Sequence, residues 1–333
     1  MSARHDGATR DHERSEELTL RDATPEGEAL FAPQRTIETL VDHGTGLLEG
    51  PTWLPDEEAL IFNDIAGATT YTWSAVDDQL RVIRRNNGLA NGMTLDHAGR
   101  LVMCEHAGSA VLRREADGSL NVLASHFEGA ELNSPNDVIA TPDGRIYFTD
   151  PIFGRDPYFG VEREPELDFR GVFLVRDDGR GPQPVARDFE GPNGLCLSPD
   201  GARLYVNDTL RMHIRSFAVL DDGGLSGGEV FAQMPGEPDI GSGVPDGLKC
   251  DERGNVYCTG PGGIWILTPE GEHLGTLEVH ERAVNFCWGG PDWTSLFIAG
   301  ANGLLDPGTD RGWIYRVQMA VRGAAPAYRG AAR

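Results

Sequence analysis

One phrase is written several times along this chain, and the repetition restricts the fold more than any other property. Its clearest copy is Pro192-Asn193-Gly194-Leu195-Cys196-Leu197-Ser198-Pro199-Asp200-Gly201: an amide anchor, alternating apolar residues, then an Asp-Gly turn. The stretches Ser134 to Gly144 and Pro245 to Gly254 repeat it, and weaker copies start at Glu49-Gly50-Pro51 and Asn91-Gly92-Met93. In four copies a glycine (Gly99, Gly144, Gly201 or Gly254) stands eight residues after the polar anchor. A self-similar unit of roughly 40–50 residues marks a propeller or another closed array.

Within each unit the apolar and β-branched runs read as short strands bounded by Gly, Pro and Asp. A first strand starts at the anchor. A second follows the turn, as in Leu60–Asn63, Ile146–Thr149 and Leu204–Asn207. A third is exemplified by Thr70–Trp73 and Ile264–Leu267, and a poorer fourth by Leu80–Ile83. Units start at 49, 91, 136, 193, 246 and about 285, with no credible long helix between them. The expected fold is therefore all-β: a six-bladed β-propeller with four antiparallel strands per blade. The last unit runs out of chain after three strands, so the orphan strand at 35–41 is expected to complete it. Pairing the two ends closes the ring and hides its edges.

The expected organisation is a charged, flexible extension over residues 1–34, a propeller over 35–319 and a flexible tail over 320–333. In the sixth unit Phe286 and Trp288 fall one step out of phase with the other units. A one-residue slip would turn that strand inside out, so Asn285 is not counted as an equivalent anchor.

Hydrophobic residues make up 39% of the 333, enough for a packed core, and the net charge is −23. Such a surface repels phosphate backbones, which argues against nucleic acid as a partner. The five cysteines lie in apolar runs with no Cys-x-x-Cys pair, and read as buried thiols in a reducing compartment. No signal peptide and no membrane-spanning run is visible, so a cytoplasmic location is expected.

The first strands of a propeller line its channel and run in one direction, so their N-terminal anchors meet at one mouth. Glu49, Asn91, Asn136, Asn193 and Asp246 would gather there as an all-oxygen cluster, suited to a hard divalent cation such as Ca²⁺. Asn-Gly and Asp-Gly are also ordinary turn dipeptides. However, each unit already has its own turn farther on, and Glu49 is a poor turn former in the same phase. For Asn91, supporting a ligand is as good a reading as being one. The second strands return to the same mouth at Asp64, Glu105-His106, Asp150 and Asp208, expected either to brace the anchors or to touch substrate. Between the second and third strands of the third unit lies the longest insertion, 151–170, with Phe153, Tyr158, Phe159 and Phe169. It is either a pocket wall or a loop packed on its neighbour.

Over about residues 45–318 the chain resembles the gluconolactonase, senescence-marker-protein and luciferin-regenerating-enzyme family. The matching marks are Glu49-Gly50-Pro51, Asn136-Asp137, Asn193-Gly194 and Asp246-Gly247, in that order. The stretches Ser134 to Pro151 and Cys104-Glu105-His106 look most like bacterial gluconolactonases. The resemblance implies a six-bladed propeller with one axial divalent cation: Ca²⁺ first, with Zn²⁺, Mn²⁺ or Fe²⁺ as alternatives. It implies Glu49, Asn193 and Asp246 as ligands, Asn136 as a fourth ligand or substrate contact, and Asp246 as general base. Asn91, His106 and Asp150 join Asn136 as candidate substrate contacts. The implied activity is hydrolysis of a small sugar lactone. A phosphotriesterase-like hydrolase and a non-catalytic Ca²⁺-binding propeller are the alternatives. Animal members of the family carry an Arg where Ser134 stands, so a substrate contact made by that Arg is missing here.

Overall fold

The computed structural model describes residues 15–43, 46–279, 282–302 and 311–330. Six antiparallel sheets form the blades of a six-bladed propeller. Blade 1 runs Leu48–Leu54, Ala59–Asp64, Thr69–Ser74 and Gln79–Arg85, from the channel outward. Blade 2 begins at Ala90–Leu95, blade 3 at Val138–Ala140, blade 4 at Pro192–Leu197, blade 5 at Leu248–Cys250 and blade 6 at Arg282–Gly289.

Burial explains the composition of each strand. Second strands are sandwiched between blades and read as continuous apolar runs: every residue of Ala59–Asp64 and of Ile146–Asp150 is buried. Outermost strands have one wet face, and Gln79–Arg85 is mostly exposed and polar. Aromatic rings fill the space within and between blades. Phe148 stacks on Phe173 at 5.4 Å within blade 3, and Trp53 of blade 1 stacks on Phe297 of blade 6 at 5.3 Å. Each such ring contributes about 1.5–3 kcal/mol by leaving water.

The ring closes as the sequence suggests. Thr36–His43 pairs antiparallel with Arg311–Gln318, with Ile37 opposite Val317 and Val41 opposite Ile314, and supplies the fourth strand of blade 6. The predicted turn glycines also behave as expected: Gly201 and Gly254 adopt φ of +71° and +87°, where only glycine is unstrained.

Two expectations about the termini need correction. Of the extension read as flexible, residues 1–14 lie outside the described residues, but 15–34 are docked. Ser15–Glu17 adds a strand beyond Thr36–His43, and Leu20–Arg21 adds one to blade 5. A short helix, Pro25–Glu28, capped by Thr24, then packs against blade 5, and Leu18, Leu30 and Phe31 are buried in the core between blades 5 and 6. These few apolar residues among many charges carry no periodicity, yet they cover an edge that would otherwise be open. The described part of the tail, 320–330, is fixed too. Val321 is buried, Gly323 and Ala324 hydrogen-bond to Trp293 and Cys250 backbone, and Tyr328 donates to Asp56 at 2.6 Å. Residues 324–328 line a cavity at the face of the wheel opposite the anchors.

Candidate functional site

The innermost strands of blades 1, 2 and 4 each break register beside the anchor, between Glu49 and Thr52, Ala90 and Met93, and Pro192 and Leu195. An extra residue at that point bends the strand and turns the anchor side chain toward the axis. In blade 6 the skip falls between Ala283 and Asn285. Val284 therefore occupies the position held by Asn193 in blade 4, and Phe286, opposite Ile298, is back in phase. The apparent slip in the sequence is a shifted anchor, filled by an apolar residue.

Glycine follows four of the anchors because the strands crowd there. A Cβ on Gly194 would lie 2.0 Å from the carbonyl oxygen of Asp246, and one on Gly50 would meet that of Asn91 at 2.1 Å. In blades 1 and 4 an asparagine near the end of the second strand fastens the anchor of the next blade. Asn63 donates to the Asn91 carbonyl at 2.7 Å, and Asn207 donates to the Asp246 carbonyl at 2.6 Å.

All five anchors line one cavity at the mouth of the channel: Glu49, Asn91, Asn136, Asn193 and Asp246, together with His106. Asp150, expected as a substrate contact, does not join them. It is fully buried, and its two carboxylate oxygens accept from the backbone N–H groups of Asn133 and Ser134 at 2.9 Å each. Asp208 does the same in blade 4, accepting from Glu190 and Gly191. These aspartates hold the loops that lead into Asn136 and Asn193. Glu105 is taken up by Arg84 at 2.8 Å, and Asp64 accepts from the Gly67 N–H.

The amides of the mouth are oriented. His106 Nδ1 donates to the Phe159 carbonyl at 2.9 Å, so Nε2 is the acceptor for Asn91 Nδ2 at 3.2 Å. Asn193 Nδ2 donates to Thr209 Oγ1 at 3.1 Å, and that hydroxyl donates onward to the Pro245 carbonyl. With their NH₂ groups engaged, Asn91 and Asn193 have their amide oxygens left for the cavity. Burial pushes the His106 pKa down to about 4, so the ring is neutral at physiological pH.

The two carboxylates are at odds with their surroundings. Burial drives the Glu49 pKa well up, and the charges of Asp246 and Asp137 add to the rise. Its Oε2 accepts from the Gly50 N–H and from Asn285 Nδ2, the latter at 3.0 Å. Asn285 is thus a brace for Glu49, with its own Oδ1 accepting from the Phe286 N–H. Burial likewise raises Asp246 to about 7, against the opposing pull of Arg282, whose Nη2 lies 3.4 Å from Oδ2. Beneath this layer Lys249 reaches Asp137 at 3.5 Å.

Among the described residues no three His, Cys, Asp or Glu gather as a metal-holding group. The mouth instead combines two carboxylates with amide oxygens. Two buried acids near one another, with amide oxygens beside them, fit a hard cation.

The insertion after blade 3's second strand divides its aromatics. Phe153 and Phe159 line the cavity, whereas Phe169 packs on Phe173 in the blade core. Ser134 is wholly buried: it donates to the Pro151 carbonyl at 2.6 Å and accepts from the Gly154 N–H, which leaves no room for a longer side chain. Sequence reasoning missed Arg282, which lines the cavity from blade 6. Its only signal was position, two residues ahead of Val284. It also missed Thr209 and the apolar wall of Leu47, Ile65, Ile240 and Val244.

Residues 47–302 match the model of the SMP-30/Gluconolactonase/LRE-like region. The chain is 28% identical to a gluconolactonase of Zymomonas mobilis over 276 residues, covering 77% of each protein. It is 28% identical to a pentonolactonase of Haloferax volcanii over 306 residues, 86% of this chain and 96% of the relative. The solved structure of a gluconolactonase from Xanthomonas campestris superposes with a TM-score of 0.79 at 31% identity, over 92% of this chain and 95% of the other. The chain belongs to the SMP-30, gluconolactonase and luciferin-regenerating-enzyme-like family.

Proposed function

We propose that this protein hydrolyses a sugar lactone to its hydroxy acid at the anchor mouth, with the aid of one divalent cation. The observation that carries this reading is the convergence of Glu49, Asn91, Asn136, Asn193 and Asp246 on one half-apolar cavity, in a family whose named relatives include gluconolactonases and a pentonolactonase. Glu49, Asn193 and Asp246 would hold the cation, with Asn136 as a fourth oxygen; the purely oxygen donor set favours Ca²⁺ over Zn²⁺, Mn²⁺ or Fe²⁺. Such a cation supplies polarisation of the lactone carbonyl and charge for the developing oxyanion.

The protein's own groups do the rest. Asp246 is the general base that takes a proton from water; burial raises its pKa, and a bound cation would pull it back down. The water oxygen forms a bond to the carbonyl carbon as Asp246 accepts its proton. The ring C–O bond then breaks, and the ring oxygen takes the proton back from Asp246 to become the product hydroxyl. Asn91 presents its amide oxygen to the cavity, fixed by His106. Phe153 and Phe159 form an apolar wall that limits water around the ring. Asp150, by gripping the loop into Asn136, is a positioning residue.

The test is activity on a panel of aldonolactones and an organophosphate triester, before chelation, after it and after return of each cation. The proposal expects lactone hydrolysis that chelation abolishes and Ca²⁺ restores, and a loss of kcat of about 10²–10⁴-fold for Asp246→Asn. Preference for the triester would move the assignment to a phosphotriesterase-like hydrolase. Cation binding without turnover of any substrate would make the chain a binding propeller.

A further inference from the structure

We infer that Arg282 is the residue that reads the oxygen substituents of the substrate ring and sets the preference for polyhydroxylated over unsubstituted lactones, an inference that rests on the lactonase reading above. The argument begins with an inventory of the cavity wall. Glu49 and Asp246 offer acceptors. Asn91 and Asn193 also offer oxygens: one N–H of each is held by His106 and by Thr209, and Asn193 donates to Asp246 as well. The Thr209 hydroxyl donates to the Pro245 carbonyl, and His106 donates to Phe159. The remaining wall is largely apolar: Leu47, Ile65, Phe153, Phe159, Ile240 and Val244. A ring bearing several hydroxyl oxygens needs donors, and apart from the Asn136 amide and the second N–H of Asn91 this wall offers few neutral ones.

Arg282 brings the only charged donor set to it among the described residues. It is the one Lys or Arg among the described residues lining the cavity, and its side chain is only 10% exposed. A guanidinium carries five N–H donors and keeps its charge. Here Nη2 approaches Asp246 Oδ2 at a long 3.4 Å, while Nε and Nη1 are buried with no hydrogen-bond partner among the described residues. Leaving buried donors of a charged group unpaired is costly. That cost is removed when a ligand in the cavity brings acceptor oxygens to them. An unsubstituted lactone has just its two ester oxygens, which the hydrolytic machinery already engages. A sugar lactone brings hydroxyls in addition. A site whose buried donors are satisfied by substrate hydroxyls discriminates against the analogue that lacks them.

A different role would be to act solely through Asp246, as its counter-charge. The two roles separate by comparing lactones of equal ring size, D-glucono-δ-lactone and δ-valerolactone, in the wild type, Arg282→Met and Arg282→Lys, with kcat and KM measured for each. Reading of hydroxyls predicts that Arg282→Met loses about 10- to 100-fold in kcat/KM on the glucono-lactone, mainly through KM, while the valerolactone value changes far less. Arg282→Lys should recover part of the loss. Equal losses on both lactones would overturn the inference and leave Arg282 as a positioning residue for Asp246. If the wild type hydrolyses neither lactone, the lactonase reading fails and this one with it. Folding of Arg282→Met is checked by its thermal midpoint and circular dichroism beside the wild type. Should it fail to fold, the Lys variant decides: an unchanged ratio of the two kcat/KM values would overturn the inference.

Discussion

At the scale of single residues, the site works by turning side chains in one sense. Asn91 and Asn193 are chemically two-faced, and what makes each a source of oxygen is the acceptor placed behind its NH₂. For Asn91 that acceptor is a neutral imidazole, so the arrangement depends on pH. The His106 pKa is about 4 in the folded protein, against an ordinary value near 6.5. As pH falls, the unfolded chain takes the proton first. The stability that comes from a neutral, buried ring is therefore complete above pH 6.5 and is lost as pH drops toward 4. Urea unfolding of the wild type and of His106→Gln across that range should show the wild type gaining about 3 kcal/mol relative to the variant between pH 4 and 6.5. A flat difference would show that His106 is not buried neutral. Four of the five anchors were legible in the sequence because each stands eight residues before a turn glycine, and Glu49 because it holds the same phase. Arg282 was not, because no spacing marks it. Asp150 was placed at the right end of its strand but given the wrong partner, since a carboxylate facing a cavity and one facing two backbone N–H groups look the same in one dimension.

At the scale of the strand, the bulge beside the anchor is the device that converts a β-sheet edge into a site. It needs room, and the glycines supply it. Two glycines in the same repeat should therefore respond differently. Gly201 adopts φ of +71° in an open turn with nothing near its missing side chain, so Gly201→Ala should cost about 1 kcal/mol and leave kcat intact. Gly194 meets the Asp246 carbonyl, so Gly194→Ala should cost about 1–3 kcal/mol or more and reduce activity, because the strand bearing Asp246 must move. Thermal melts and lactone kinetics on both variants check this; equal behaviour would contradict the crowding argument. The strands themselves were readable from apolar runs between turn residues. The register shift in blade 6 was visible only as a phase error at Phe286 and Trp288, and its cause, Val284 in the anchor position, required the pairing with Ala299 and Ile298.

At the scale of the whole molecule, the propeller is a ring whose axis collects acidic and amide groups while its seam joins the two ends of the chain. The closure was legible, because a blade with three strands demands a fourth. The docking of residues 15–34 was not, because Leu18, Leu30 and Phe31 sit among charges without period and are buried only by the tertiary fold. Leu30→Ala and Phe31→Ala should each cost about 2–5 kcal/mol. Removal of residues 1–34 should lower the thermal midpoint more than either substitution, although no residue of the cavity is touched. An unchanged midpoint would return this segment to a dispensable arm. The proposed function rests on one cation held by groups from different blades. Calorimetric titration of Ca²⁺ into the chelated protein measures this directly, for the wild type and for Glu49→Gln, Asn193→Ala and Asp246→Ala. One cation per chain in the wild type, and at least about tenfold weaker binding in all three variants, is the predicted result; binding that none of the three substitutions weakens would contradict it.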